Sequence, residues 1–235
     1  MLNLLAGSSD SAVLLIFGIV GAIMIISVVI RLIRIIRSPS RSSDGKTSWG
    51  RKADELAQTM SADELYNLAQ AHIDKTIPDA DFVLGEAIMR KAAEAGNAQA
   101  QFYIGKKYAY GDAAQSVEWF KKAAEQGLDE ACEKLGNMYN YGHEIGDNPI
   151  ESDYKEAEKW YLPLAEKGNV DVMKTLALMY SLDLHDEESS LKWHIKAAET
   201  GDLEAIEAVV AHYNLEDDTE NAIKWCRKAA ETGNA

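Results

Sequence analysis

The sequence predicts an all-α fold, a right-handed α/α solenoid of two-helix repeats preceded by one transmembrane helix. Three observations predict it. A short segment of the type Lys-Ala-Ala-Glu-x-Gly returns along the chain, a second periodic stripe follows each copy, and one uncharged apolar run stands near the N-terminus.

The apolar run comes first. Residues 12–30 read AVLLIFGIVGAIMIISVVI, 19 residues without a charge. At about 1.5 Å rise per residue such a helix spans roughly 30 Å, the hydrocarbon thickness of a bilayer. A cleaved signal would carry basic residues before its apolar core. Here none precedes it, while Arg31, Arg34 and Arg37 follow directly, so a membrane anchor is the reading. Basic flanks stay on the cytoplasmic side. The expected localisation is therefore single-pass, in a bacterial inner membrane, with the N-terminus outside and the long domain cytoplasmic. The lipid bilayer is thus one expected partner, met through residues 12–30. Arg31, Arg34 and Arg37 recur at i, i+3, which makes a stripe for anionic head groups or only records topology. Gly18 and Ala22 form a small-xxx-small pair of the kind that packs two membrane helices, so self-association there is an open alternative.

Residues 1–37 thus form a membrane helix with a basic extension, and residues 38–52, SPSRSSDGKTSWGRK, read as a flexible linker. Trp49 stands alone in it. The sequence does not choose whether it docks on the following domain, meets the membrane surface or does neither.

Residues 53–235 form the repeat domain. Its turns end at Gly96, Gly127, Gly168, Gly201 and Gly233, with separations of 31, 41, 33 and 32 residues. Eight residues before each glycine stand Ile88, Trp119, Trp160, Trp193 and Trp225. Small residues recur eleven, four and three before it, so the set i, i+3, i+7, i+8 marks one face of a helix A. The glycine itself suits a left-handed position after the helix end. Four, eight and twelve residues beyond it recur an Ala or Val, an aliphatic residue and Tyr108, Tyr139, Tyr180 or Tyr213. That stripe is helix B. Two short helices cannot bury their faces alone, but stacked pairs can. Ser61 with Glu64 and Asp153 with Glu156 match capping boxes. Residues 62–73 read as a degenerate helix B that covers the N-terminal end. The residues run out at Ala235, where a further helix B would begin, so the last helix A either caps the stack or the sequence is truncated there.

WFKKAAEQG at 119–127 with ACEKLGNMY at 131–139 resembles the Sel-one-like repeat family, a relative of tetratricopeptide repeats. The resemblance covers about residues 62–235. Ile88 for Trp, and Pro163-Leu164 for Lys-Ala, depart from the pattern. The short spacings imply tight loops. The resemblance implies adaptor roles in membrane-linked complexes, signalling and protein quality control.

Charge narrows the partners. Seven of the 24 Lys and Arg, but only two of the 38 Asp and Glu, precede residue 53, which leaves a net charge of −19 on residues 53–235. A nucleic-acid binder needs the opposite sign. An acidic body suits a basic protein partner or simply solubility. No phosphate loop, nucleophile elbow or metal-ligand spacing is present, and the five histidines fall at unrelated repeat positions. The expectation is no catalytic residue, no cofactor, no metal and no small-molecule substrate. The recurring glutamates Glu94, Glu125, Glu166, Glu199 and Glu231 suit packing or local hydrogen bonding. Cys132 and Cys226 form no paired motif and read as small buried residues.

The long spacing marks an insertion at 141–152, YGHEIGDNPIES. Loops on a rigid scaffold often carry binding residues. Tyr141, His143, Glu144 and Asp147 are therefore the candidate partner contacts, with a solvated spacer as the other reading. The function expected is a membrane-anchored scaffold that presents an acidic repeat surface to a protein. An immunity protein neutralising a toxin at the inner membrane is the alternative. A repeat-family hydrolase is a third, against which the absence of regular cysteine pairs counts.

Overall fold

The computed structural model describes residues 45–143 and 148–231, and among them stand eleven helices. They are α1 (Gly45–Ala57), α2 (Ala62–Ile73), α3 (Phe82–Glu94), α4 (Ala98–Tyr108), α5 (Ala113–Ala124) and α6 (Asp129–Tyr141), then α7 (Tyr154–Glu166), α8 (Val170–Leu182), α9 (Glu187–Glu199), α10 (Leu203–Leu215) and α11 (Thr219–Glu231). From α2 onward each helix packs chiefly on its neighbours in the chain. Odd-numbered helices are A and even-numbered helices are B. No helix among the described residues is long and apolar enough to cross a membrane. Residues 12–30, with Gly18 and Ala22, and the stripe Arg31, Arg34 and Arg37 lie outside the described residues.

The two stripes read from the sequence face the core, although the helix B tyrosines Tyr108, Tyr139, Tyr180 and Tyr213 are only half-buried. On the A helices Ser116, Ala157 and Ser190 are buried eleven residues before the turn, and Ala92, Ala123, Leu164 and Ala197 four before it. On the B helices Ala100, Ala131, Val172 and Ala205 are buried, as are Ile104, Leu135, Leu176 and Val209. The turn glycines Gly96, Gly127, Gly168 and Gly201 have φ between 85° and 103°, a conformation that costs glycine no Cβ clash. The residue after the glycine then starts helix B. Asn97, Asn169 and Asp202 each accept a bond from the backbone N–H three residues on, while Leu128 makes no such cap. The A helices are capped by a second set, Asp81, Asp112, Asp153, Asp186 and Asp218, each bonding the N–H three residues on. Neither set needs tertiary packing, so local chemistry places the helix starts wherever these caps stand, the turn at Leu128 excepted.

Fit between repeats depends on one small residue. A Cβ built on Gly105 would lie 2.6 Å from the Phe120 ring, and one on Gly136 would lie 2.4 Å from Tyr161. At the equivalent places in the later repeats the small residue grows to Ala177 and Val210, and the opposing residue becomes His194 and Cys226. Close packing leaves no room for both partners to be large.

Five readings change. Residues 45–52, expected as tether, belong to α1, which packs across α3. Trp49 is half-buried against the N-terminal core cluster, so of its three open roles the structure takes docking. Among the described residues α1 therefore stands before α2, so α2 is not the first helix of the stack, and it is α1 that lies against α3. Trp119 is only half-buried, because Phe120 beside it fills the core on α5. Cys132 is buried but Cys226 is exposed, and among the described residues α11 packs on α10 alone. At α2 the capping box of Ser61 and Glu64 forms. At α7 Asp153 caps, but Glu156 turns to Lys159 at 3.6 Å.

The lysine of the repeated Lys-Ala-Ala segment has a role that spacing alone hides. Lys122, Lys196 and Lys228 lie 4.4, 4.0 and 4.7 Å over the rings of Trp119, Trp193 and Trp225. These are i, i+3 cation–π pairs. Where Ile88 replaces the indole, Lys91 instead bridges Asp54 on α1 at 2.7 Å and Glu94 at 3.0 Å. The recurring glutamates are exposed, which excludes the packing role, and Glu94 pairs locally with Lys91.

Candidate interaction surface

The insertion leaves the stack at the end of α6. Tyr141 closes that helix with its side chain exposed, and Gly142 turns the chain with φ 69°. His143 pairs with Ile150 through two backbone hydrogen bonds of 2.8 and 2.9 Å, so the loop is drawn shut at its neck. The His143 ring then donates from Nε2 to the carbonyl of Ala109 at 2.6 Å, which pins the neck to the end of α4 in the preceding repeat. The Asp153 N–H returns to the carbonyl of Tyr139 at 2.7 Å before α7 begins. Of the four candidate contacts the structure thus brings Tyr141 and His143 together at one edge. Glu144 and Asp147 lie outside the described residues. His143 serves as a strut, a role that its place in the insertion did not reveal.

Behind the loop, burial raises the Tyr161 hydroxyl above its ordinary pKa, and that hydroxyl donates to Asn137 Oδ1 at 2.6 Å. Burial likewise raises the Cys132 thiol. Both groups stay neutral and serve packing. Among the described residues no group of three or more His, Cys, Asp and Glu is placed to hold a metal ion.

The edge that carries Tyr141 has a regularity that the buried stripes do not show. Fourteen residues after each described turn glycine stands a large apolar residue: Tyr110, Tyr141, Leu182 and Leu215. All four are exposed. Each sits in the last turn of a B helix or just beyond it, so the set follows one edge of the stack. The matched offset was the available signal, but it falls outside the buried stripes that periodicity picks out.

The Sel1 repeat pattern matches residues 65–97, 98–128, 129–169, 176–202 and 213–234. The chain belongs to the Sel1 repeat family. Sel1 repeats typically act as protein-interaction scaffolds without catalysis. A Sel1 repeat protein from Oxalobacter formigenes is similar at 23% identity with a TM-score of 0.64, covering 86% of this chain and 58% of that one. A protective antigen of uropathogenic Escherichia coli, displaying an SLR fold, is similar at 26% identity with a TM-score of 0.53, covering 86% and 52%. This Sel1 repeat chain therefore spans little more than half the length of each. The immunity protein Pa5087 from Pseudomonas aeruginosa matches at 19% identity with a TM-score of 0.27, covering 58% and 66%, which is too slight to support the immunity reading. No curated protein matches the chain.

Proposed function

We propose that this Sel1 repeat protein is a membrane-tethered scaffold that holds a protein partner beside the bilayer on its acidic helical-repeat surface. The observation that carries the reading is the matched set of exposed apolar side chains, Tyr110, Tyr141, Leu182 and Leu215, at one offset in four successive repeats. Solvated apolar side chains at a repeated position are costly to keep unless a partner covers them. The acidic body, net −19 over residues 53–235, favours a basic partner with a salt-sensitive association rate. The tether is assigned to residues 12–30, with Arg31, Arg34 and Arg37 holding the repeat domain on the cytoplasmic side.

Crosslinking in intact membranes, followed by partner identification, tests the scaffold. Capture that needs the repeats supports it, and equal capture by residues 1–52 alone rejects it. Protease added outside sealed cells tests the topology. The repeat domain is expected to survive, and its digestion rules out the cytoplasmic placement.

A further inference from the structure

We infer that the edge ladder Tyr110, Tyr141, Leu182 and Leu215 is a docking site for an extended segment of another protein, one that alternates apolar side chains with Lys or Arg. The inference rests on the scaffold reading and names the surface and the partner chemistry. The four rungs are 80%, 72%, 68% and 85% exposed, at one offset in four successive repeats. Leu178, one turn before Leu182, is exposed as well and widens that rung.

Charge chooses the occupant. Each rung lies at or just beyond the C-terminal end of a B helix, the negative end of its dipole. The last turns of α6 and α8 contain no basic residue to offset it, whereas that of α4 carries Lys106 and Lys107 and that of α10 carries His212. Acidic side chains directly follow two of the four rungs, with Asp183 after Leu182 and with Glu216 and Asp217 after Leu215, all three exposed. An apolar rung beside an anionic helix end fits an apolar side chain followed by a cation. An anionic lipid surface meets repulsion at the same places. The rungs stand on alternate helices, each separated from the next by an A helix. An occupant that meets several of them must run along the edge, which suits an extended chain at roughly 3.3 Å per residue.

The test uses the full chain in phosphatidylcholine nanodiscs and a fluorescent peptide of repeated Leu-Lys-Lys triplets. Ser-Lys-Lys and Leu-Glu-Glu peptides are the controls. Saturable binding of the first peptide alone is expected. Leu182→Asp with Leu215→Asp should weaken it by about tenfold per rung, as loss of a buried leucine contact implies. Leu182→Met should leave it within about twofold, since methionine fills the same space. Helical circular dichroism reports that the variants fold. Equal binding by the Asp variants, equal binding of Ser-Lys-Lys, or displacement of the peptide by excess empty nanodiscs overturns the ladder. The intact-membrane crosslink separates the two readings. An identified partner that the Asp variants retain overturns the ladder and leaves the scaffold standing. No repeat-dependent partner in the native chain overturns both.

Discussion

Asn169 and Leu128 occupy the same place in successive turns but do unequal work. The Asn169 side chain accepts from Val172 N–H at 3.1 Å and is exposed, so its cap is its main contribution. Asn169→Ala should lower the denaturation free energy by about 1 kcal/mol, read as a shifted urea midpoint at unchanged slope. Leu128 lacks a cap bond but packs against the main core cluster. In Leu128→Asn a cap worth about 1 kcal/mol replaces apolar contact of similar size, so the expected change is under about 0.5 kcal/mol. A large effect at Leu128 would mean that one of these contributions is misjudged. The histidines act through pH. Burial holds both His72 and His194 below the ordinary imidazole pKa. For His72, Asp81 opposes that shift and Lys52 reinforces it. The neutral His72 Nδ1 accepts from Asp81 N–H at 3.1 Å. With the folded pKa depressed, the unfolded chain binds more protons in the window below about pH 6.5. Stability is therefore full above that pH and falls below it, through the window down to the folded pKa, as acid protonates these histidines in the unfolded chain while the folded imidazoles stay neutral. His72→Asn keeps an acceptor and should flatten the slope of the denaturation midpoint between pH 7 and 5, two ordinary working values around about 6.5. An unchanged slope would remove His72 from the account.

Within an element, α7 departs most from its sisters. Pro163 stands inside it where the other A helices carry the repeated lysine, and it is exposed. Proline offers no N–H to the carbonyl of Lys159, and its ring crowds the preceding turn. The indole of Trp160 still finds a cation, but from Lys159 next to it at 5.1 Å. Pro163→Lys should restore both the hydrogen bond and the i, i+3 pair, raising stability by on the order of 1–2 kcal/mol. Thermal unfolding followed at the helical signal would show it, and a lowered midpoint would mean that the proline bend fits its surroundings. The helices were legible where burial is periodic, because Ala, Trp and aliphatic residues return at fixed offsets only when one helix face is kept from water. Two things were not legible. α1 is an A helix without the marker, since Thr59 and Met60 stand where the Glu-x-Gly turn would be and its indole, Trp49, stands three places early. Phe120 took the core place of Trp119 because Gly105 opened room for a ring on that side, a pairing that only emerges when two helices face each other.

At the scale of the whole molecule, stability is a sum over neighbours, and the N-terminal end shows what a cap does. The core cluster there draws Leu56 from α1, Leu65 and Leu68 from α2, and Leu84, Ile88 and Met89 from α3. α1 meets α3 with little help from α2, so α3 loses one of its covers when α1 is removed. The ion pair from Lys91 to Asp54 at 2.7 Å goes with it, but surface pairs of this kind contribute only about 0.2–1 kcal/mol. The apolar loss is larger, since burying Leu56 alone is worth roughly 1.5–3 kcal/mol. The effect should also be local. In a stack where each repeat contacts only its neighbours, an exposed end frays without transmitting to the far end. Deleting residues 45–57 should therefore speed hydrogen exchange in α2 and α3 by about tenfold or more, while amides of α9 and α10 keep their protection. Uniform acceleration along the chain would instead mean one cooperative unit, with the edge ladder held rigid from end to end. Confined fraying would leave Leu182 and Leu215 at native spacing, so an α1-deleted chain should still bind through those two rungs.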